Sequence, residues 1–327
     1  MAGSKATRSV LVWHVRESWM ESFVAGRHHC VIPVNESKDS YGRGLCGRNW
    51  PRAQEIPWWR LHEEDIDLVV LQRPGEIELT TRWLGRRPGI DIPAVYVEHN
   101  TPRPSAVDSL HPIARRDDIP VIHVTDFNRL MWNNGGAPTR VINHGIADPG
   151  YLYTGELPAV ATMINEPRRR WRTVGADLLE ELSARVPIDV WGIESESLSG
   201  TGHIRGKGDV APPGLLHQVA RRRVYLHTAR WTSLGTSLIE AMYLGMPVVA
   251  VASTMAPLVV PAEAGVVSGD VATLAHALEG FGTDLSAASA AGKAARDFAM
   301  THFALDRFLA DWDVVINESC TEKGGSE

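Results

Sequence analysis

Short apolar runs alternate with longer amphipathic or polar stretches along most of this chain. Runs rich in Val, Ile and Leu stand at residues 9–14, 30–34, 68–71, 94–98 and 121–125, each closing in polar or Gly/Pro-rich sequence. After a break the pattern resumes at 159–164, 188–192, 224–227, 248–251 and 265–267. Such runs are too short for helices and read as buried strands, and the helical stretches between them predict βαβ units with parallel sheets. Two series predict two domains. The break at 146–158, IADPGYLYTGELP, carries turn residues and no sustained period, so the boundary is expected there.

Length agrees with that division, since 327 residues suit two domains of about 150 each. The expected architecture is α/β, with two Rossmann-like doubly wound domains facing across a cleft. The first is expected at 1–150, joined by a C-terminal helix at 304–320, and the second at 151–303, with 321–327 a disordered tail. Ligands of such sheets bind beyond the carboxyl ends of the strands. An apolar content of 44% and a charged content of 22% are ordinary for a globular protein. The net charge of −6 argues against a nucleic-acid partner. Cys30, Cys46 and Cys320 are odd in number and far apart, which fits neither a disulfide framework nor a zinc site. No signal-like segment or long apolar span is visible, so a cytoplasmic location is expected.

The segment after residue 223 carries the strongest chemistry. A strand (VYLH), a polar turn from Thr228 to Gly235 and a helix from Thr236 to Leu244 lead through Gly-Met-Pro into the strand 248–251. Gly235 has no Cβ, so backbone amides there can approach a ligand closely. The helix that follows aims free N–H groups and the positive end of its dipole at the same spot, which favours an anion. Thr236 and Glu240 are four apart and share a helix face, and a carboxylate one turn beyond a phosphate can accept hydrogen bonds from ribose hydroxyls. An ordinary buried βαβ helix has the same pattern.

The run WTSLGTSLIEAMYLGMPVVA, Trp231 to Ala250, resembles the donor-site motif of retaining GT-B glycosyltransferases, in particular family GT4. Those proteins carry two glutamates eight positions apart around a Gly-containing turn, followed by EAM-x-x-G-x-P-V-V-A. Here the resemblance gives Glu240 the role of holding the nucleotide ribose. It places the turn Leu234, Gly235, Thr236 and Ser237 at the diphosphate. The first glutamate, which contacts the transferred sugar in the family, is replaced by Thr232, and the usual Gly-Gly turn after the next strand is replaced by Ser253-Thr-Met-Ala-Pro. The segment from Val124 to Ile146 also resembles the family's end of the first domain, and Val97-Glu-His-Asn-Thr-Pro resembles a strand-end loop bearing a cleft-facing histidine, here His99.

The resemblance implies transfer of a hexose from a nucleotide-diphosphate sugar to an acceptor, whether glycan, lipid or small molecule, with retention and without metal or other cofactor. Two further readings stay open. One is a catalytically impaired nucleotide- or sugar-binding protein, for which Thr232 is the argument. The other is a nucleotide-sugar epimerase on the same fold. A departing diphosphate needs positive charge, and EPRRRWR, Glu166 to Arg172, supplies it at a strand-to-helix loop; Arg170 and Arg172 are the expected ligands, although a solvated basic face would read alike. His99 follows a strand and could polarise or orient an acceptor hydroxyl.

Weaker signals are set aside. His28 and His29, adjacent on a strand, point to opposite faces and read as structural. Gly42 to Gly47 fits GxGxxG without the strand and helix such a loop needs. Asp65/Asp67 and Asp311/Asp313 read as exposed carboxylates. The eleven tryptophans read mostly as core, although Trp58 and Trp59, with Arg52, Arg60, Arg86 and Arg87, leave room for a peripheral membrane contact.

Overall fold

A computed structural model describes residues 6–211 and 214–321. The chain divides into two compact units, the first running to Ala147 and resuming at Leu305, the second spanning Asp148–Ala304.

The first unit is built on a parallel sheet of seven strands: β1 (Ser9–Val12), β2 (His29–Val34), β3 (Ala53–Pro57), β4 (Leu68–Leu71), β5 (Ala94–Glu98), β6 (Val121–His123) and β7 (Thr139–Val141). Their spatial order is β3-β2-β1-β4-β5-β6-β7. Helices α1 (Glu17–Val24), α2 (Gly75–Leu84) and α3 (Asp126–Met131) follow β1, β4 and β6. Successive strand residues point to opposite faces, and both faces of the inner strands are covered, so those strands read as predominantly apolar runs. Val10, Val12, Leu68, Val70, Val95 and Val97 pack with Trp19 and Phe23 of α1 and with Phe308 and Trp312 near the C-terminus. Their neighbours Leu11, Val69, Leu71 and Tyr96 pack on the other face with Leu79 and Trp83 of α2.

The second unit has six parallel strands: β8 (Leu157–Met163), β9 (Ile188–Trp191), β10 (Ile204–Gly208), β11 (Arg222–His227), β12 (Val248–Val251) and β13 (Gly265–Ser268). The order is β10-β9-β8-β11-β12-β13. Its helices are α4 (Leu179–Ser183), α5 (Gly214–Ala220), α6 (Thr236–Leu244), α7 (Ala256–Val259), α8 (Val271–Thr283) and α9 (Leu285–His302). The last helix, α10 (Leu305–Thr321), returns to the first unit, where Phe308, Trp312, Val315 and Ile316 enter its core. Of the tail expected at 321–327, Thr321 ends α10 and the rest lies outside the described residues.

Both sheets are doubly wound, and the strand order reverses between β1 and β4 in the first and between β8 and β11 in the second. In doubly wound sheets the loops leaving neighbouring strands diverge at such a reversal, and ligands bind at the carboxyl edge there. Ten expected strands are present within two residues at either end. The strand expected to reach Thr125 stops at His123, because Thr125 caps α3 by accepting a hydrogen bond from the Asn128 amide. Three strands escaped the pattern, β3, β7 and β10, and all three are sheet edges.

Candidate functional site

In the second unit the site forms where the loops after β8, β11 and β12 meet. Gly235 caps α6 in extended geometry (φ −71°, ψ 127°) with no side-chain hydrogen bond to the helix. A Cβ at Gly235 would lie 3.3 Å from Ser237 Oγ and 3.5 Å from His227 Cε1, so the glycine leaves the helix start bare on this side. Leu234 is buried, whereas Thr236 and Ser237 are half-buried in the first turn. His227, at the end of β11, is 8% exposed. Its ring has no hydrogen bond or ion pair among the described residues, and burial pushes its pKa down to about 4, so it is neutral. The Thr232 hydroxyl is likewise buried without a partner among the described residues.

One turn into α6, Glu240 is half-buried. No cation or hydrogen-bond donor is paired with its carboxylate among the described residues, and desolvation raises its pKa. The fully buried Tyr225 lies close enough for that carboxylate to raise the phenol pKa further. A buried carboxylate without donors is uncommon in a folded protein.

The basic loop after β8 is anchored to the turn after β11. Gly175 adopts φ +71° and an added Cβ would fall 2.0 Å from the Thr228 carbonyl oxygen. Only glycine fits both the left-handed backbone and that approach. Thr228 Oγ1 donates to the Val174 carbonyl (2.7 Å), and the amides of Arg230 and Trp231 donate to the Thr173 carbonyl (2.9 and 3.2 Å). The hydroxyl of Ser253, after β12, donates to the Arg230 carbonyl.

These contacts set the expected arginines apart. Arg172 is largely exposed, its side chain at 75%, and pairs with Asp177 at 3.0 Å. Arg170 is half-buried on the same loop. Arg169 pairs with Glu166, and Arg168 lies over the Trp171 ring while donating to the Ser197 carbonyl. Arg230, outside the expected set, is held more closely than Arg172. It bonds Asp177 through two nitrogens (2.6 and 3.1 Å) and also donates to the Arg172 carbonyl at 3.1 Å. Neither Arg230 nor His227 was singled out from the sequence. The signal available was their place in the motif, at a strand end and in the turn that follows it.

In the first unit His99 directly follows β5. Its Nε2 is 2.9 Å from Gln72 Oε1, and its ring meets Trp19 edge-on at 5.3 Å. Burial, Arg16 and His144 hold its pKa well below the usual value.

The remaining signals resolve structurally. His28 accepts from the Arg8 amide and bonds Asp313, while His29 is exposed. Seven tryptophans, among them Trp13, Trp19 and Trp50, are buried, whereas Trp58 and Trp59 are 38% and 49% exposed. Around that exposed pair the cations are engaged locally: Arg60 pairs with Glu63, Arg87 with Asp91, and Arg52 and Arg86 donate to backbone carbonyls. Among the described residues no helix is long and apolar enough to cross a membrane, and no group of three or more His, Cys, Asp or Glu side chains is arranged to hold a metal ion.

Part of this arrangement lies in a segment that matches a known family. Residues 195–298, from the turn before β10 into α9, match the family described as Glycosyl transferases group 1. No curated protein sequence matches. Among solved structures, a sucrose-phosphate synthase from Thermosynechococcus elongatus superposes with a TM-score of 0.69 at 14% identity, over 95% of this chain and 98% of that one. HepE from Anabaena, solved in complex with UDP and glucose, gives 0.66 at 16% identity over 98% and 100% of the two chains. TarM from S. aureus gives 0.62 at 17% identity, covering 76% of this chain, which spans about 55% of TarM. These likenesses show the fold. The chain therefore has the two-sheet α/β fold of the GT-B glycosyltransferases, and its residues 195–298 carry the group 1 glycosyl transferase signature.

Proposed function

We propose that this protein transfers a hexose from a nucleotide-diphosphate sugar to an acceptor, with retention of configuration. The observation that carries the reading is the start of α6 inside the matched segment. A helix whose glycine N-cap supplies no side-chain hydrogen bond stands one turn before a carboxylate with no partner among the described residues. The first feature suits a diphosphate and the second the ribose hydroxyls of the same molecule. HepE, which shares the fold, is described with UDP and glucose bound.

In this reading the second unit holds the donor. The amides at Gly235–Ser237 and the Arg230 guanidinium face charge that grows on the diphosphate as the glycosidic bond breaks, so their stabilisation is larger in the transition state than in the ground state. Positive charge from the protein then stands where other transferases use a metal ion. Arg170 and Arg172 add to the field from the loop after β8. Glu240 holds the ribose, and the hydroxyl of Thr232 faces the transferred sugar. The first unit takes the acceptor, with His99 at a hydroxyl, and this assignment leaves the acceptor as glycan, lipid or small molecule.

Thr232 favours one second reading, a nucleotide- or sugar-binding protein with impaired catalysis. A panel of nucleotide sugars, assayed for release of nucleoside diphosphate with and without mixed acceptors, separates the two. Release with any donor supports the transferase; tight nucleotide binding with no release in any mixture supports the binding protein. Thr232→Glu in the same assay is expected to change which sugar is used. A general gain in turnover would instead mean that the natural threonine impairs catalysis.

A further inference from the structure

β1, β4 and β5 are neighbours in the first sheet, and the residues just past their carboxyl ends are Trp13, Gln72 and His99. They form a chain of hydrogen bonds across the sheet edge at the point where the strand order reverses. Gln72 Nε2 lies 2.7 Å from the Trp13 carbonyl oxygen, and Gln72 Oε1 lies 2.9 Å from His99 Nε2. A backbone carbonyl only accepts, so the Gln72 nitrogen must face Trp13. That turns the Gln72 oxygen to His99. An amide oxygen carries no proton, so His99 Nε2 must donate. The ring is neutral, and its Nδ1 then bears a bare lone pair with no partner among the described residues.

We propose that Gln72 is a positioning residue that locks His99 in the Nε2-protonated neutral tautomer, so that Nδ1 accepts a hydrogen bond from a hydroxyl of the acceptor. This rests on the acceptor role given above to the first unit, and it narrows the chemistry that role admits. A carboxylate or phosphodiester oxygen has no proton to offer Nδ1, so a fully ionised group of that kind is excluded from that position. It also settles what His99 does to the hydroxyl. The groups acting on the ring, Arg16 beyond β1 and His144 after β7, oppose its protonation, as does burial, and the Trp19 ring of α1 adds no charge. An imidazole so reluctant to take a proton is a weak general base. His99 orients the hydroxyl, and the proton leaves by another route.

The test is nitrogen NMR of the full chain labelled with 15N-histidine, with His99 assigned by the signal lost in His99→Asn. The expected result at pH 7 to 8 is a neutral ring protonated at Nε2 and unprotonated at Nδ1. A ring protonated at Nδ1, or an imidazolium at pH 7, overturns the proposal without any variant. Gln72→Met removes the acceptor and should let a measurable Nδ1-protonated fraction appear; an unchanged spectrum overturns the lock. Gln72→Glu places a carboxylate against Nε2 and should bring titration of His99 up by a pH unit or more. Adding methyl glycosides should shift the Nδ1 resonance, whereas dimethyl phosphate, an anion with no proton to donate, should not at matched ionic strength. A response to dimethyl phosphate alone, or to neither, overturns the hydroxyl assignment. Failure to transfer any sugar would sink the transferase reading while leaving the tautomer result standing.

Discussion

Replacing Glu240 by glutamine is expected to make the protein more stable and worse at binding nucleotide. The carboxylate is half-buried, raised in pKa by desolvation, and has no cation or donor partner among the described residues. Leaving a buried polar group unsatisfied costs roughly 1–3 kcal/mol, and more for a charge than for an amide. The glutamine is nearly isosteric, so no cavity opens and a gain of about 1 kcal/mol is expected. For a folding unit of this size that corresponds to about 2–4 °C in Tm. The ligand side has the opposite sign. Two ribose hydroxyls donating to a carboxylate form charge-assisted bonds worth about 1.5–3 kcal/mol. Losing that much lowers nucleoside diphosphate affinity by roughly 10- to 150-fold.

Thermal unfolding without ligand, together with calorimetric titration of nucleoside diphosphate, measures both effects. The pH dependence adds a control. Because the folded pKa is raised above the usual 4.5, the folded state holds the extra proton just above that value. Wild-type stability therefore falls as pH rises through the window between the two pKa values. The advantage of Glu240→Gln should be full at pH 7 and shrink towards pH 4. A variant less stable than wild type at pH 7 would falsify the claim that the carboxylate is unpaired, and unchanged affinity would remove its ribose role.

Three other outcomes are expected. Arg230→Ala should lower affinity for a nucleoside diphosphate at least tenfold while changing nucleoside affinity little, and Arg172→Ala, at an exposed side chain, should change either less than threefold at physiological salt. Equal losses for the two variants would argue against the special place of Arg230. Gly175→Ala forces a left-handed alanine, worth about 1–2 kcal/mol of strain, and drives a methyl to 2.0 Å from the Thr228 carbonyl oxygen. Overpacking of that kind costs about 1–3 kcal/mol, so urea unfolding should show a loss of about 2–5 kcal/mol; a change under about 1 kcal/mol would mean that the two loops are not tied. Finally, His123, His144 and His227 have folded pKa values near 4 against 6.5 for the free side chain. Between those values the unfolded chain binds protons that the folded one refuses, so stability falls as pH drops, by up to about 3 kcal/mol per histidine at pH 4. Urea midpoints independent of pH from 7 to 5 would contradict this.

What the sequence by itself determined was local. Strands such as Leu68–Leu71, Ala94–Glu98 and Val248–Val251 were legible to the residue, because a strand covered on both faces must be apolar throughout. Helix α6 was legible at both ends, from the glycine before Thr236 to the glycine after Leu244. Edge strands β3, β7 and β10 were not, because only part of each is buried and no apolar run is demanded of them. The turn at Gly235 followed by a helix, on which the proposed diphosphate site rests, was legible as local sequence. Which nearby arginine is fixed in place was not, since Arg168, Arg169, Arg170 and Arg172 sit in one basic run. Only the tertiary structure decided that Asp177 and the Arg172 carbonyl hold Arg230 in place, 53 and 58 residues away along the chain. The tautomer of His99 is decided the same way, by Gln72 and Trp13 brought alongside it through strand pairing. Hydrogen-bond partners distant in sequence leave no periodic trace, so the chemical state of a side chain is known only once the sheet has assembled them.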